Sequence, residues 1–337
     1  MLSRVADAML WMSRYIERAE HAARVIDVNI NLLLDAGIHP EQDPQRYWEP
    51  LIGVTQDRQL FYELYEHADE QSVPDFFTFQ NKNPNSILST VSRARENART
   101  IRESISSEMW EHLNRTYWMV QSAGSRRLWD EGPHSFYQQV KDASHGFQGI
   151  TDATMLRGEE WCFIQLGKHL ERADNTSRLL DIRANMLSGP GDWAEHLETA
   201  QWMAVLKSCS AYEAYRRFYV ARIEQRRVTE FLVFSDVFPR SVRFCVTRSG
   251  EAIAEIGTDV RSAEARKVQR SIGQLRSELE YGSVDDLLAT GSHPYLDGIQ
   301  RQLNRVNEEL YAAYLVHQAV PTRGFSWVAQ QEQQQQQ

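Results

Sequence analysis

Cysteine is scarce in this chain of 337 residues: Cys162, Cys209 and Cys245 are odd in number, widely spaced and form no C-x-x-C pair. Neither a disulfide framework nor a zinc knuckle is indicated, and a reducing compartment, the cytoplasm, is the expected location. An excess of basic charge is also missing. The 37 Lys and Arg against 46 Asp and Glu give a formal net charge of −9. Duplex binding draws most of its affinity from clustered cations on phosphates, so DNA is not an expected partner. Arg4, Asp7, Arg14, Glu17, Arg18 and Glu20 interrupt the first 24 residues before the apolar core of a leader forms. No later stretch reaches the ~18 uncharged apolar residues of a membrane span. The phosphate-cradling patterns G-x-G-x-x-G and G-x-x-x-x-G-K-S/T and the nucleophile elbow G-x-S-x-G do not occur. No cofactor and no metal are expected.

What is present is helical periodicity. Val5, Ala8, Met9, Met12, Ile16, Ala19, Ala23 and Ile26 follow the three-and-four spacing of a helix with one buried face. Punctuation at Val73-Pro74, Asn83-Pro84-Asn85, Gly132-Pro133, Gly189-Pro190-Gly191, Phe238-Pro239 and Gly291 to Pro294 separates windows that suit helices and not strands. The pattern predicts an all-α helical bundle of about nine or ten helices with two sequence-related halves. A single domain over 1–328 is expected, its halves roughly 1–150 and 151–328, followed by a disordered Gln-rich tail at 329–337. Only Phe231 to Phe234 has strand character; Val242 to Val246, opening after Pro239, reads as helix.

The halves are related by an internal repeat. IERAEHAARVIDV at 16–28 and LERADNTSRLLDI at 170–182 stand 154 residues apart. Glu17, Arg18, Ala19, Arg24 and Asp27 are identical to Glu171, Arg172, Ala173, Arg178 and Asp181, and Glu20 against Asp174 keeps the charge. A fainter third copy, RARENAR at 93–99, retains Arg93 and Arg99 six residues apart. Duplication of a helical half is the simplest explanation.

Spacing converts these letters into geometry. With Glu17 at zero on a helical wheel, Arg24 falls near about 340°, Glu20 near about 300° and Asp27 near about 280°, along the edge of the apolar face. Glu171, Asp174, Arg178 and Asp181 repeat the stripe. Arg18 and Arg172 point away, near about 100°, and must serve a different neighbour. Two readings follow. The stripes form a half-buried ion-pair network locking helices in register, their carboxylates satisfied by Arg24, Arg178, Arg93 or Arg99; alternatively, they face one central cavity that receives a cation, an amine or a peptide. The small residues Ala19, Ala22, Ala23 and Ala173 permit close helix approach and favour the packing account.

The stretch LSRVADAMLWMSRYIERAEH from residue 2, ARENARTIRESISSEMW at 94–110 and FPRSVRFC at 238–245 resemble the bacterial alpha-E family, and the likeness covers all but the Gln tail. That resemblance implies an all-α protein found beside circularly permuted ATP-grasp ligases, transglutaminase-like proteins and a proteasome-related peptidase, in systems proposed to make or modify peptides. The resemblance lends direction and no mechanism; the expected function is a non-catalytic accessory or scaffold protein partnering an ATP-grasp ligase, with a peptide or amino acid as a possible ligand. The alternative is a carboxylate- or metal-dependent enzyme acting on peptide or amide bonds.

Other constellations carry less. Glu63 with His67 and Glu108 with His112 are four apart, on one helical face. His21 lies in the first stripe but Asn175 stands in the second, which excludes a twofold-symmetric histidine site. The cysteines read as core thiols. Arg216, Arg217, Arg222, Arg226 and Arg227 spread round a helical window as a solvated or ion-paired face. Trp110, Tyr117, Trp118, Trp193, Trp202, Tyr212 and Tyr215 fill inter-helix space or line a groove.

Overall fold

The computed structural model describes residues 2–35, 44–53, 57–122, 126, 129–188, 195–220, 222–256 and 262–315. The Gln tail, Trp193 and the Gly189-Pro190-Gly191 break lie outside the described residues. The first half carries α1 (Ser3–Asp35), α2 (Pro44–Ile52), α3 (Arg58–Leu64), α4 (Ser72–Thr78), α5 (Ile87–Thr100), α6 (Ser107–Gln121) and α7 (Pro133–Thr154). The second carries α8 (Glu159–Ser188), α9 (Glu195–Ser208), α10 (Tyr212–Phe218), α11 (Gln225–Phe234), α12 (Val242–Ile256), α13 (Ala263–Tyr281), α14 (Val284–Thr290) and α15 (Ser292–Leu310). The described residues contain no strand. Phe231 to Phe234 closes α11, where Val228, Phe231 and Leu232 at three-and-four spacing turn toward the core. Short helices beyond the expected nine or ten bridge the longer ones.

Two long helices, α1 and α8, form the centre. Met9, Met12, Ile16, Ala23 and Ile26 of α1 and Cys162, Phe163, Leu166, Leu170 and Ala173 of α8 are buried. Around α1 the chain builds a ring in which α5 packs on α1, α6 on α5, and α7 on both α6 and α1. Around α8 it builds the same ring from α12, α13 and α15. The two four-helix rings share the α1/α8 junction. At that junction a Cβ on Gly167 would lie 2.3 Å from the Leu10 carbonyl oxygen and 3.0 Å from Ser13 Cβ. Glycine is thus what lets the backbones meet.

Matched local signals start matched helices. Ser86 Oγ accepts from Ser89 N–H at the head of α5, and Ser241 Oγ accepts from Phe244 N–H at the head of α12. Ser106 and Ser262 cap α6 and α13 in the same way, accepting from Met109 N–H and Ala265 N–H. The Arg-rich window is not one helix. α10 ends at Phe218 and α11 begins at Gln225, and Arg226 pairs with Asp285 and Arg227 with Glu224. Among the aromatics, Trp202 and Tyr215 are buried, Trp110, Tyr117 and Tyr212 half-buried, and Trp118 is 61% exposed.

Candidate functional site

The two Glu-Arg dipeptides face each other across the α1/α8 crossing and pair reciprocally. Arg18 donates from Nε to Glu171 Oε1 at 2.7 Å and from Nη2 to Oε2 at 3.1 Å. In the opposite sense Arg172 donates from Nε to Glu17 Oε2 at 2.8 Å and from Nη2 to Oε1 at 2.7 Å. Both contacts are two-pronged guanidinium–carboxylate bonds, the strong and orientation-specific kind. The different neighbour of each arginine is therefore the other copy's glutamate. A helical wheel gives a direction but not what lies there.

Further cations surround this knot. Arg14 donates from Nε to Glu171 Oε2 at 2.8 Å. Arg240, from the turn before α12, reaches Glu20 Oε1 at 2.6 Å and Glu17 Oε2 at 3.5 Å. Glu20 also takes Arg24 Nη2 at 2.6 Å and Ser144 Oγ at 2.7 Å, and Asp174 takes Arg178 Nε at 2.8 Å. Arg24 and Arg178 thus each pair within their own stripe. The other two named arginines sit elsewhere: Arg99 pairs with Glu96 on the exposed side of α5, and Arg93 lies over the Tyr15 ring at 5.9 Å.

Asp27 and Asp181 form a third matched set. Asp27 holds His134 Nδ1 at 2.7 Å, and Asp181 holds His293 Nδ1 at 2.8 Å. Asn31 and Asn185, each four residues on, donate to the same carboxylates at 3.2 Å. Lys141 Nζ adds an ion pair to Asp27 Oδ2 at 2.7 Å, and Gln300 stands at the matching place in α15. The exclusion of twofold-related histidines therefore holds at His21 and fails elsewhere. The matched imidazoles come from the heads of α7 and α15, not from the repeat itself. Their signal is Gly-x-His at 132–134 and 291–293, offset by 159 residues instead of 154, so a search at constant offset passes over it.

Charge balance follows from these contacts. Burial pushes the Glu171 carboxyl up, but Arg18 and Arg14 outweigh it and hold the group at about 2. Burial likewise opposes ionisation of Glu20, and Arg240, the His145 contact and Arg24 bring it well below the usual carboxylate range. His21 is driven down to about 4, first by burial and then by Arg240. Burial raises the three thiols, Cys162 to about 12, Cys209 to about 11 and Cys245 to about 12. They are buried and unpaired as disulfides, and such thiols are poor nucleophiles.

The Glu63–His67 and Glu108–His112 pairs do not assemble. α3 ends at Leu64, so His67 leaves the helical face, and His112 Nε2 bonds the Ala143 carbonyl at 2.6 Å. Among the described residues no group of three or more His, Cys, Asp or Glu is placed to hold a metal ion, and no helix is long and apolar enough to cross a membrane.

Helices alone, in two sequence-related halves tied by crossed Glu-Arg pairs, define an all-α class of protein. A family model described as a predicted alpha-helical domain with a conserved ER motif matches residues 1–315, and the chain belongs to that family, Alpha-E. Its Glu-Arg dipeptides are those at 17–18 and 171–172. The chain is similar to uncharacterized protein Mb2597 of Mycobacterium bovis, 25% identical over 332 residues, and to uncharacterized protein Rv2567 of Mycobacterium tuberculosis, 24% identical over 332 residues. Each match covers 93% of this chain and 37% of the relative. The chain thus spans little more than a third of these relatives' length. No solved structure matches it.

Proposed function

We propose that this chain is a non-catalytic accessory or scaffold protein of a cytoplasmic peptide-synthesis or peptide-modification system, and that it partners an ATP-grasp ligase. The observation that carries the reading is the direction of the central charges, which point at one another. A carboxylate gripped by two guanidiniums is held ionised and is a weak base, unsuited to moving a proton at neutral pH. Those pairs instead fix how α1 crosses α8, and through it how one ring sits on the other. We infer further that the rings descend from one duplicated unit. Matched caps, Glu-Arg dipeptides and Asp-His pairs at offsets of 154 to 159 residues support this. The likeness to relatives in which the matched region is 37% of a longer polypeptide supports a domain that works in company.

The test is retention of an ATP-grasp ligase from the same host by the purified chain, compared with Glu17→Gln and Glu171→Gln. Weaker retention by destabilised variants, with no reaction in the parent, is the expected result. A peptide- or amide-forming reaction in the parent that folded, soluble variants lose overturns the proposal.

One observation favours a second reading, an enzyme acting on peptide or amide bonds. His134 and His293 are each exposed and oriented through Nδ1 by a buried aspartate, the arrangement of a general base. His134 borders a groove of about 390 Å³ with Asn31, Met203 and Lys207. Amide hydrolysis or transfer that is lost in His134→Ala or His293→Ala would establish that reading in place of the first.

A further inference from the structure

The two rings differ at one matched place. The turns NPNS at 83–86 and FPRS at 238–241 both end in the serine that caps the next helix, so Asn85 and Arg240 occupy corresponding positions. Arg240 extends its guanidinium onto Glu20 and Glu17. Asn85 is several atoms shorter, and its amide is already engaged: Oδ1 accepts from Arg18 Nη1 at 2.7 Å and Nδ2 donates to Asp57 at 2.8 Å.

Beside Asn85 lies a cavity of about 230 Å³. Its polar end is formed by Arg18, Glu171, Asp174 and Arg178, and its apolar wall by Val25, Ile26, Leu51 and Phe77. Asp174 is the counterpart of Glu20, yet nothing corresponds to Arg240 there. Its Oδ2 takes Arg178, while its Oδ1 is buried with no partner. His21, on the same wall and only 8% exposed, also presents a buried Nε2 without a partner. Orphaned buried acceptors of this kind are costly unless a donor reaches them.

The matched half holds one cation more around the same number of carboxylates. The filled side sets Lys168, Arg172, Arg24 and Arg240 against Glu17 and Glu20. The open side sets Arg14, Arg18 and Arg178 against Glu171 and Asp174, one cation fewer. We propose that this cavity binds a guanidinium or primary ammonium group on an aliphatic chain, such as an arginine or lysine side chain or a diamine. The cationic head takes the place that Arg240 fills in the other half, and the methylenes lie along Val25, Ile26, Leu51 and Phe77. Neutral His21, with its pKa near 4, adds a buried ring nitrogen without a partner and no repelling charge. The inference does not depend on the ligase reading, because it is measured on the chain alone.

The test is calorimetric titration of the full chain with agmatine and with 1,5-diaminopentane, using butyrate as the anionic control and 1-butanol as the uncharged one. One saturable site for the cations is expected, weakened tenfold or more by Asp174→Asn and abolished by Asn85→Arg, which supplies the guanidinium from the chain itself. Asn85 also anchors Arg18, so if Asn85→Arg does not fold, Asp174→Asn decides. Arg240→Ala gives a further readout: with a second vacated guanidinium place, its melting temperature should rise more in millimolar guanidinium than the parent's does, each measured against equal potassium chloride. No saturable cation binding, equal binding of butyrate or butanol, or undiminished binding by Asp174→Asn overturns the proposal.

Discussion

Arg18 and Glu171, 153 residues apart in sequence, meet with Nε 2.7 Å from Oε1, and Arg172 returns the contact to Glu17 at 2.7 Å. Both glutamates are almost wholly buried, so deleting Arg18 or Arg172 leaves a buried carboxylate with a single guanidinium, Arg14 for Glu171 or the more distant Arg240 for Glu17. Arg172→Ala is expected to cost about 3–5 kcal/mol, whereas replacing Arg172 and Glu17 together with apolar residues of similar volume costs less than the single change. Urea unfolding of the single and double variants measures the difference. A single variant as stable as the parent would mean that the crossing is held by packing alone.

Gly167 and Leu10 set how closely α1 and α8 approach. A methyl group at Gly167 would sit 2.3 Å from the Leu10 carbonyl oxygen, a backbone atom that cannot rotate away. Gly167→Ala is therefore expected to destabilise by at least about 2 kcal/mol even though alanine favours helix. Gly273, where an added Cβ meets nothing within 4 Å, is the control. Gly273→Ala should be neutral or stabilising in the same melting experiment.

Much of this was legible in the letters. The apolar spacing of residues 5–26 dictates a helix buried on one face, and the 154-residue repeat identifies both central helices. What a wheel cannot supply is the partner. Arg14 reaches the knot from one turn before Glu17 and Arg240 from a turn more than 200 residues away, and no local pattern encodes that meeting. His134 and His293 were hidden for a simpler reason. The second half is five residues longer between its Glu-Arg dipeptide and its histidine, so the matched pair drops out of register with the repeat that would have revealed it.

The thiols give a chemical check on burial. Cys162, Cys209 and Cys245 are buried with their acidities suppressed to about 12, 11 and 12, chiefly by desolvation. At pH 8 the thiolate fraction is negligible, so all three should react with a soluble disulfide reagent far more slowly than a free thiol does. In denaturant all three should titrate at the ordinary rate. A rapidly modified thiol in the native protein would show that one of these helices opens readily.

Acid should unfold this protein in two stages, because buried histidines and buried carboxylates are displaced in the same direction from different starting points. His21 titrates near 6.5 when unfolded and near 4 when folded. The unfolded chain takes up that proton first, so the stabilisation is complete above pH 6.5 and falls away between pH 6.5 and 4. A shift of this size corresponds to about 3 kcal/mol. His169, held well below 6.5 chiefly by burial, adds to the same window. Glu171 titrates near 4.5 unfolded and near 2 folded, so its contribution is complete above pH 4.5 and is lost as the pH drops toward 2. Unfolding free energy measured in urea from pH 8 downward should therefore be flat to about pH 6.5, decline below it, and steepen below about pH 4.5. His21→Gln should make the upper stage shallower, leaving the part due to His169, and leave the lower one, while Glu171→Gln should lower the plateau and make the lower stage shallower, leaving the part due to Glu20. Stability that stays constant between pH 6.5 and 4.5 would place His21 in contact with water and remove the neutral imidazole from the wall of the cavity.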